Sequence, residues 1–256
     1  MKKILAVICF SFLSLNFANA EIVSVGISGN VGLLEADGQE TLTGTSQRDI
    51  TYGNNNTRLR ADGVSSTKTT KGAEDIAIGY VSVFGEVHLL ETGIRVGGSY
   101  VPYALESETT DNTRNDNCQN NDNTNHAACT ATAHTVQIDV EDMITMYLAY
   151  HHDLDLGLVD SVFVKGGIIE ADIITKESLA SGTSYGNAEL SGQFIGLGIE
   201  KNMDNGLFVR VEGNMTQYQD IKLQGTNEDA EDANTNTIDI TNLDGATATL
   251  SIGKSF

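Results

Sequence analysis

Tryptophan is missing from this sequence altogether, and proline occurs once, at Pro102. Cysteine occurs three times, and 15 basic side chains stand against 35 carboxylates. Each scarcity excludes something. Beyond residue 20 no apolar run reaches the roughly 18 residues of a spanning segment, so no transmembrane helix is expected. A β-barrel stays open, because its strands alternate facing and look only mildly hydrophobic in any window. Lys and Arg are too few to neutralise a phosphate backbone, so nucleic acid is not an expected partner. The carboxylate excess fits a self-repelling, solvated surface that can also concentrate divalent cations.

The N-terminus has the layout of a secretory leader. Lys2 and Lys3 precede an apolar stretch from Ile4 to Leu15, and Ala18-Asn19-Ala20 supplies small residues at a cleavage site. Residues 1–20 are therefore expected to be a cleaved signal peptide, and Cys9 leaves with them. No Cys opens the remaining chain, so no lipid anchor is expected there. Without Lys2 and Lys3, 13 basic residues face 35 acidic ones.

Period-2 alternation recurs through residues 21–256. Val136, Ile138, Val140, Asp142, Ile144, Met146, Leu148 and Tyr150 share one face, and all but Asp142 are apolar or aromatic. A helix could not segregate such a set, and the segment exceeds the ~5–6 residues of an ordinary strand. Similar patterns occur in residues 22–36, around Ile76 to Phe84, around Ile94 to Tyr100, and in 161–176, 189–200, 207–215 and 246–256. The facing of the 161–176 and 189–200 segments is ambiguous. In residues 207–215, Leu207, Val209, Val211 and Met215 oppose Phe208, Arg210, Glu212 and Asn214.

Eight strands result, and the connections alternate in length. Long loops rich in Asn, Asp, Thr, Ser and Gly are expected at about 37–74, 107–134, 177–188 and 224–245. Short turns are expected at 87–92, 151–160 and 201–206, the last carrying the hairpin signal Asp204-Asn205-Gly206. Long connections on one rim and short ones on the other predict an all-β, eight-stranded antiparallel up-and-down transmembrane β-barrel, with long loops outside and both ends of residues 21–256 in the periplasm. Eight strands leave a lumen just wide enough to be filled by side chains. Candidates for its charges are Glu86, Arg95, Asp139, Glu141, Arg210 and Glu212, with Lys165. Phe84, Tyr150 and Phe256 would sit at the periplasmic interface and Tyr100 near the outer one, a thin girdle without Trp. Pro102 fits the outer end of a strand, where a lost ladder bond is tolerable.

The segment from Gly245 to Phe256 resembles the closing strand of bacterial outer-membrane barrels, which ends in Phe after alternating apolar residues. Lys254 stands where that family carries an apolar or aromatic residue; its stem can lie along apolar surface while its ammonium reaches the interface. Tyr100-Val101-Pro102-Tyr103 and Gly206-Leu207-Phe208-Val209-Arg210 are also similar to strands of such barrels. The wider pattern looks like the small opacity-protein-like or porin-like surface barrels of Gram-negative bacteria. The resemblance implies a place in the outer membrane and recognition of the Phe256 strand by the barrel-assembly machinery.

Few residues suggest chemistry. Cys118 and Cys129 share the second long loop and are a disulfide candidate in an oxidising compartment. His151 and His152 are adjacent on a strand, so they point to opposite faces and are not expected to chelate one metal. The Asp and Asn residues between Asp229 and Asp239 look faintly like a calcium loop but lack the glycine and terminal Glu of an EF-hand. Weak divalent-cation binding is the most that is expected of them. No catalytic constellation, cofactor or metal site is expected, and the chain is not expected to be an enzyme. The leading expectation is a structural or adhesive surface barrel with a filled lumen, its acidic loops meeting an extracellular ligand, a host or a phage. Alternatives are porin-like passive diffusion of small solutes and a soluble, lipocalin-like ligand-binding barrel.

Overall fold

The computed structural model describes residues 22–45, 49–50, 59–60, 65–89, 92–107, 109–117, 130–154, 157–178, 184–225 and 235–256. The expected signal peptide and the Cys118–Cys129 pair lie outside these residues. Eight long strands form the wall: β1 (Val23–Thr45), β2 (Ser65–His88), β3 (Ile94–Tyr100), β4 (Thr130–Asp153), β5 (Ser161–Ser178), β6 (Ala188–Asn202), β7 (Leu207–Tyr218) and β8 (Thr235–Ser255). Each pairs antiparallel with the next, and β8 returns to β1 along Ser24↔Ser255 to Thr43↔Thr235. The sheet is thus closed on itself, an eight-stranded up-and-down barrel. Phe256 N donates to Val23 O at 2.8 Å, and Ile22 N donates to Phe256 O at 2.8 Å.

The three short connections lie on one rim with residues 22 and 256. They follow His88, Asp153 and Asn202. The last is a tight turn in which Gly206 has φ +78° and donates to Met203 O at 3.0 Å, a backbone region glycine enters without strain. On the other rim the strands run further than expected. β1 continues to Thr45, β2 starts at Ser65, and Thr110–Asn117 and Ile221–Gly225 extend the ladder on β4 and β8. Much of the polar sequence expected as loop at 37–74, 107–134 and 224–245 is strand. Thr is at home in a strand, so a Thr-rich polar segment can continue the ladder.

Facing explains the alternation. All eight strands expose large apolar side chains, among them Ile27, Val31, Val87, Val96, Leu148, Val164, Leu197, Val211 and Ile252. The opposite faces of the same strands carry buried Ser28, Asn30, Glu86, Glu200, Arg210, Glu212, Thr249 and Ser251. A polar interior inside an apolar belt inverts the soluble barrel, so the lipocalin-like alternative is overturned. Hydrocarbon offers no hydrogen-bond partners, and a closed ladder satisfies every backbone group internally. This is a membrane-spanning barrel. The two ambiguous strands resolve: Phe163, Lys165, Ile169 and Ala171 point inward on β5, and Leu190, Phe194 and Glu200 inward on β6.

One level of the wall breaks the pattern. On β4, Asp142 adopts φ +50° in a bulge between Glu141 and Ile144. Irregularities on two other strands lie along the same register line, which runs through Glu170↔Ser191 and the bond from Gln219 N to Ser191 O. β7 breaks at Gln219 and Asp220 before Ile221–Gly225, and β8 slips at Asn242, φ +52°. An extra residue reverses which face each side chain takes. The apolar set of β4, expected on a single face, therefore divides. Met146, Leu148 and Tyr150 are exposed on the belt, whereas Ile138 and Val140 pack inside against Met143, Ala171, Ile173 and Leu223. The lumen is polar within the belt and apolar above it.

Candidate functional site

The charged centre of the lumen joins opposite walls. Arg210 of β7 donates from Nη1 and Nη2 to Glu86 Oε1 and Oε2 of β2, at 2.8 and 2.9 Å. It also donates to Glu200 Oε2 of β6, from Nε at 3.1 Å and Nη2 at 2.8 Å. Arg95 of β3 closes the figure, donating to Glu200 Oε2 and Oε1 at 3.1 and 3.0 Å and lying 3.5 Å from Glu86 Oε2. Two guanidinium groups thus meet two carboxylates, and the charges cancel. Bidentate Arg–carboxylate geometry is the strong form of this contact, and buried charges require such partners. Tyr147 Oη donates to Glu86 Oε1 at 2.9 Å.

Aromatic rings pack around the charges. Arg210 lies 5.1 Å from the centroids of Phe208 and Phe163 and 5.5 Å from that of Phe84, within cation–π range. Phe208 is completely buried over Gly253, where an added Cβ would come within 2.3 Å of the ring. Tyr147 occupies the equivalent space over Gly97, at 2.6 Å. The narrow barrel therefore places glycine on one wall where the other carries a ring.

A second pair, Lys165 and Glu212, sits on the side away from the short turns. Asn214 Nδ2 donates to Glu212 Oε1 at 3.3 Å, and Thr249 Oγ1 donates to Asn30 Oδ1 at 2.7 Å. These groups border a cavity of about 60 Å³ with Ser28, Tyr80 and Thr145. At roughly 10–15 Å³ per water, it has room for a few waters.

Of the residues singled out in the sequence, Glu86, Arg95, Arg210 and Glu212 lie in the lumen, the first three in one cluster. Asp139 and Glu141 lie elsewhere. Their register partners Ile174 and Asp172 belong to the outer face of β5, opposite Ala171 and Ile173. The bulge at Asp142 turns them there. Asp139 is buried even so, engaged by Lys176 and by Gln137 Nε2 at 3.0 Å. Glu200 is the lumen charge that the sequence hides, because its strand has no clear facing; its alternation with Gly198 and Gly196 is the available signal. His151 is buried and stacked on Phe163 at 4.7 Å, while His152 is exposed. Among the described residues no group of three metal-ligating side chains gathers. In the connection after β4, Asp160 accepts from Lys201 Nζ and Asn202 N, each at 2.7 Å, which lowers its pKa.

No protein-family model matches the sequence, and no curated protein matches it. Among solved structures the chain is similar to Ail, the attachment invasion locus protein of Yersinia pestis, at 11% identity and TM-score 0.31, covering 89% of this chain and 99% of that one. It is similar to the outer membrane protease OmpT of Escherichia coli at 8% identity and TM-score 0.37, covering 90% and 97%. The translocator domain of the autotransporter NalP from Neisseria meningitidis matches at 8% identity and TM-score 0.33, covering 99% and 95%. The ring of strand pairs and the apolar belt, rather than these likenesses, establish the architecture.

Proposed function

We propose that this chain is a surface barrel of the bacterial outer membrane, with a filled lumen and a structural or adhesive role exercised through its acidic outer rim. The observation that carries this reading is the quartet of Glu86, Arg95, Glu200 and Arg210, which ties β2 and β3 to β6 and β7 across the lumen. A neutral, bidentate cluster surrounded by rings obstructs passage, whereas a diffusion channel needs an open polar lumen. On this reading the chain is not an enzyme. Its partners are outer-membrane lipid, the barrel-assembly machinery at the Phe256 strand, and an extracellular ligand, host or phage at the rim. The polar segments reach outward, and both ends of residues 21–256 lie in the periplasm. A secretory leader and a closing strand ending in Phe support that orientation.

The test is expression with residues 1–20 in a Gram-negative host, followed by membrane fractionation, electrophoresis with and without heating, and planar-bilayer recording. Outer-membrane fractionation, a heat-dependent mobility shift and negligible conductance are expected. Steady solute-permeable conductance would replace this reading with passive diffusion.

A further inference from the structure

Beyond the belt the wall carries a seam. β2 pairs with β3 from Val83↔Tyr100 to His88↔Arg95. Further out β2 stays paired with β1 as far as Thr45↔Ser65, yet among the described residues no strand pairs with its other edge. The chain that follows β3 pairs with β4 instead, through Leu105–Glu106 and Thr110–Asn117. Where the two part, Val81 N donates to Tyr103 Oη at 2.6 Å. A long unpaired edge is a template for another strand.

The parity of this edge is fixed. In an antiparallel ladder the N–H and C=O groups of alternate residues point to the same side. Val81 N points to the free side, toward Tyr103. The β1–β2 register runs without a shift from Val23↔Val87 to Thr45↔Ser65. The odd-numbered residues from Thr67 to Gly79 therefore offer their backbone groups to the seam. Odd residues of β2 also face outward, and Lys71 and Asp75 are both exposed there. Neither has an opposite charge as its register partner on β1. Lys71 lies opposite Gln39, and Asp75 lies opposite Glu35, a like-charge pair that destabilises a sheet.

We propose that this edge pairs with the same edge of a second copy, antiparallel about Ala73. The hydrogen-bonding parity allows only registers that join odd residues to odd residues. With Ala73 opposite Ala73, Lys71 of each copy faces Asp75 of the other, so two-fold symmetry forms the ion pair twice. A shift that sets Lys71 against Lys71, or Asp75 against Asp75, is repulsive. Identical strands run antiparallel only when the two copies meet head to head. For membrane-embedded barrels that contact joins opposed membranes, making the occupant of the seam a copy from a neighbouring cell. The proposal rests on the reading that this rim is extracellular.

The test uses the full mature chain reconstituted in phospholipid vesicles, each variant first shown to be folded by its heat-dependent gel shift. Vesicle turbidity reports pairing. Wild-type vesicles are expected to aggregate. K71D vesicles alone and D75K vesicles alone are expected to lose aggregation, because each variant carries two like charges at the seam. A mixture of the two is expected to regain it, because both cross-seam contacts then join a carboxylate of the first variant to an ammonium of the second. Single variants that aggregate like wild type, or a mixture that stays dispersed, would overturn the proposal. In a C118S/C129S background, A73C is expected to oxidise to a dimer between copies, since opposed residues of a hydrogen-bonded pair lie about 5.5 Å apart. A disulfide within one chain between A73C and T110C would instead show the seam closing on itself, and would also overturn it. Separately, a membrane-impermeant maleimide applied to intact cells reports whether A73C is outside. Its failure to label would refute the extracellular reading while vesicle aggregation still reports edge pairing.

Discussion

Arg210 and Glu86, from strands on opposite walls, grip each other through two parallel hydrogen bonds of 2.8 and 2.9 Å. Removing one partner leaves the other buried and uncompensated. Glu86→Ala is expected to cost about 3–5 kcal/mol. Replacing Glu86 and Arg210 together with Met should cost distinctly less. Urea unfolding of the protein in vesicles checks both, and equal losses would contradict the cross-lumen pairing.

Phe208 and Gly253 share one space. Gly253→Ala drives a methyl group into the ring and is expected to cost about 1–3 kcal/mol. Phe208→Ala empties the space and is expected to cost about 3–5 kcal/mol. The double variant should cost less than the two summed, because the new methyl partly fills the gap. A strictly additive result in the same unfolding assay would show that the residues do not touch.

Asp142 carries the bulge that reverses β4. Asp142→Gly keeps a residue at home at φ +50° but removes the acceptor of the Tyr100 Oη hydrogen bond at 3.2 Å, so a small loss is expected. Asp142→Val places a β-branched residue in the left-handed region and should cost at least about 1–2 kcal/mol. Deleting Asp142 removes the extra residue, so Glu141 and Ile144 stay on the face they share with Asp172 and Glu170. Ile138 and Val140 then keep facing the lumen, and the heat-shifted gel band is expected to persist.

Much of this architecture is legible from residues 2 apart. β7 and β8 read cleanly because their outward residues are apolar and their inward ones polar, as with Val211 against Arg210 or Ile252 against Ser251. β5 and β6 do not, because inward Phe163 and Ile169 alternate with outward Val164 and Ile168, and periodicity cannot rank two apolar faces. Strand four misleads for a different reason. Its apolar spacing is unbroken across Asp142, yet one left-handed residue moves Ile138 to the lumen and Met146 to the belt. Glu200 stays hidden because its partners, Arg95 and Arg210, lie far away in sequence or across a turn. The polar ladder above the belt has the composition of loop, because beyond the hydrocarbon Thr, Asn and Asp take the places that apolar residues hold on the belt.

Asp160 gives the stability of the barrel a pH dependence. Its bonds from Lys201 and Asn202 lower its pKa in the folded state. Their contribution is complete above the usual aspartate value near ~3.9 and is lost as pH falls through the lower folded value. Asp160→Asn is therefore expected to lower the urea midpoint at neutral pH, with the difference from wild type closing below about pH 4. A difference that stays constant into acid would contradict the assignment.

The absence of tryptophan makes the facing of the barrel wall directly measurable. Leu197 is 68% exposed on the belt, whereas Phe208 is 0% exposed in the lumen. Single Trp residues introduced as Leu197→Trp and Phe208→Trp would each be the only indole in the protein. In vesicles of brominated phospholipid, Leu197→Trp fluorescence should be strongly quenched and Phe208→Trp fluorescence largely spared. The reverse pattern, or no quenching at either position, would contradict a lipid-embedded barrel with this facing.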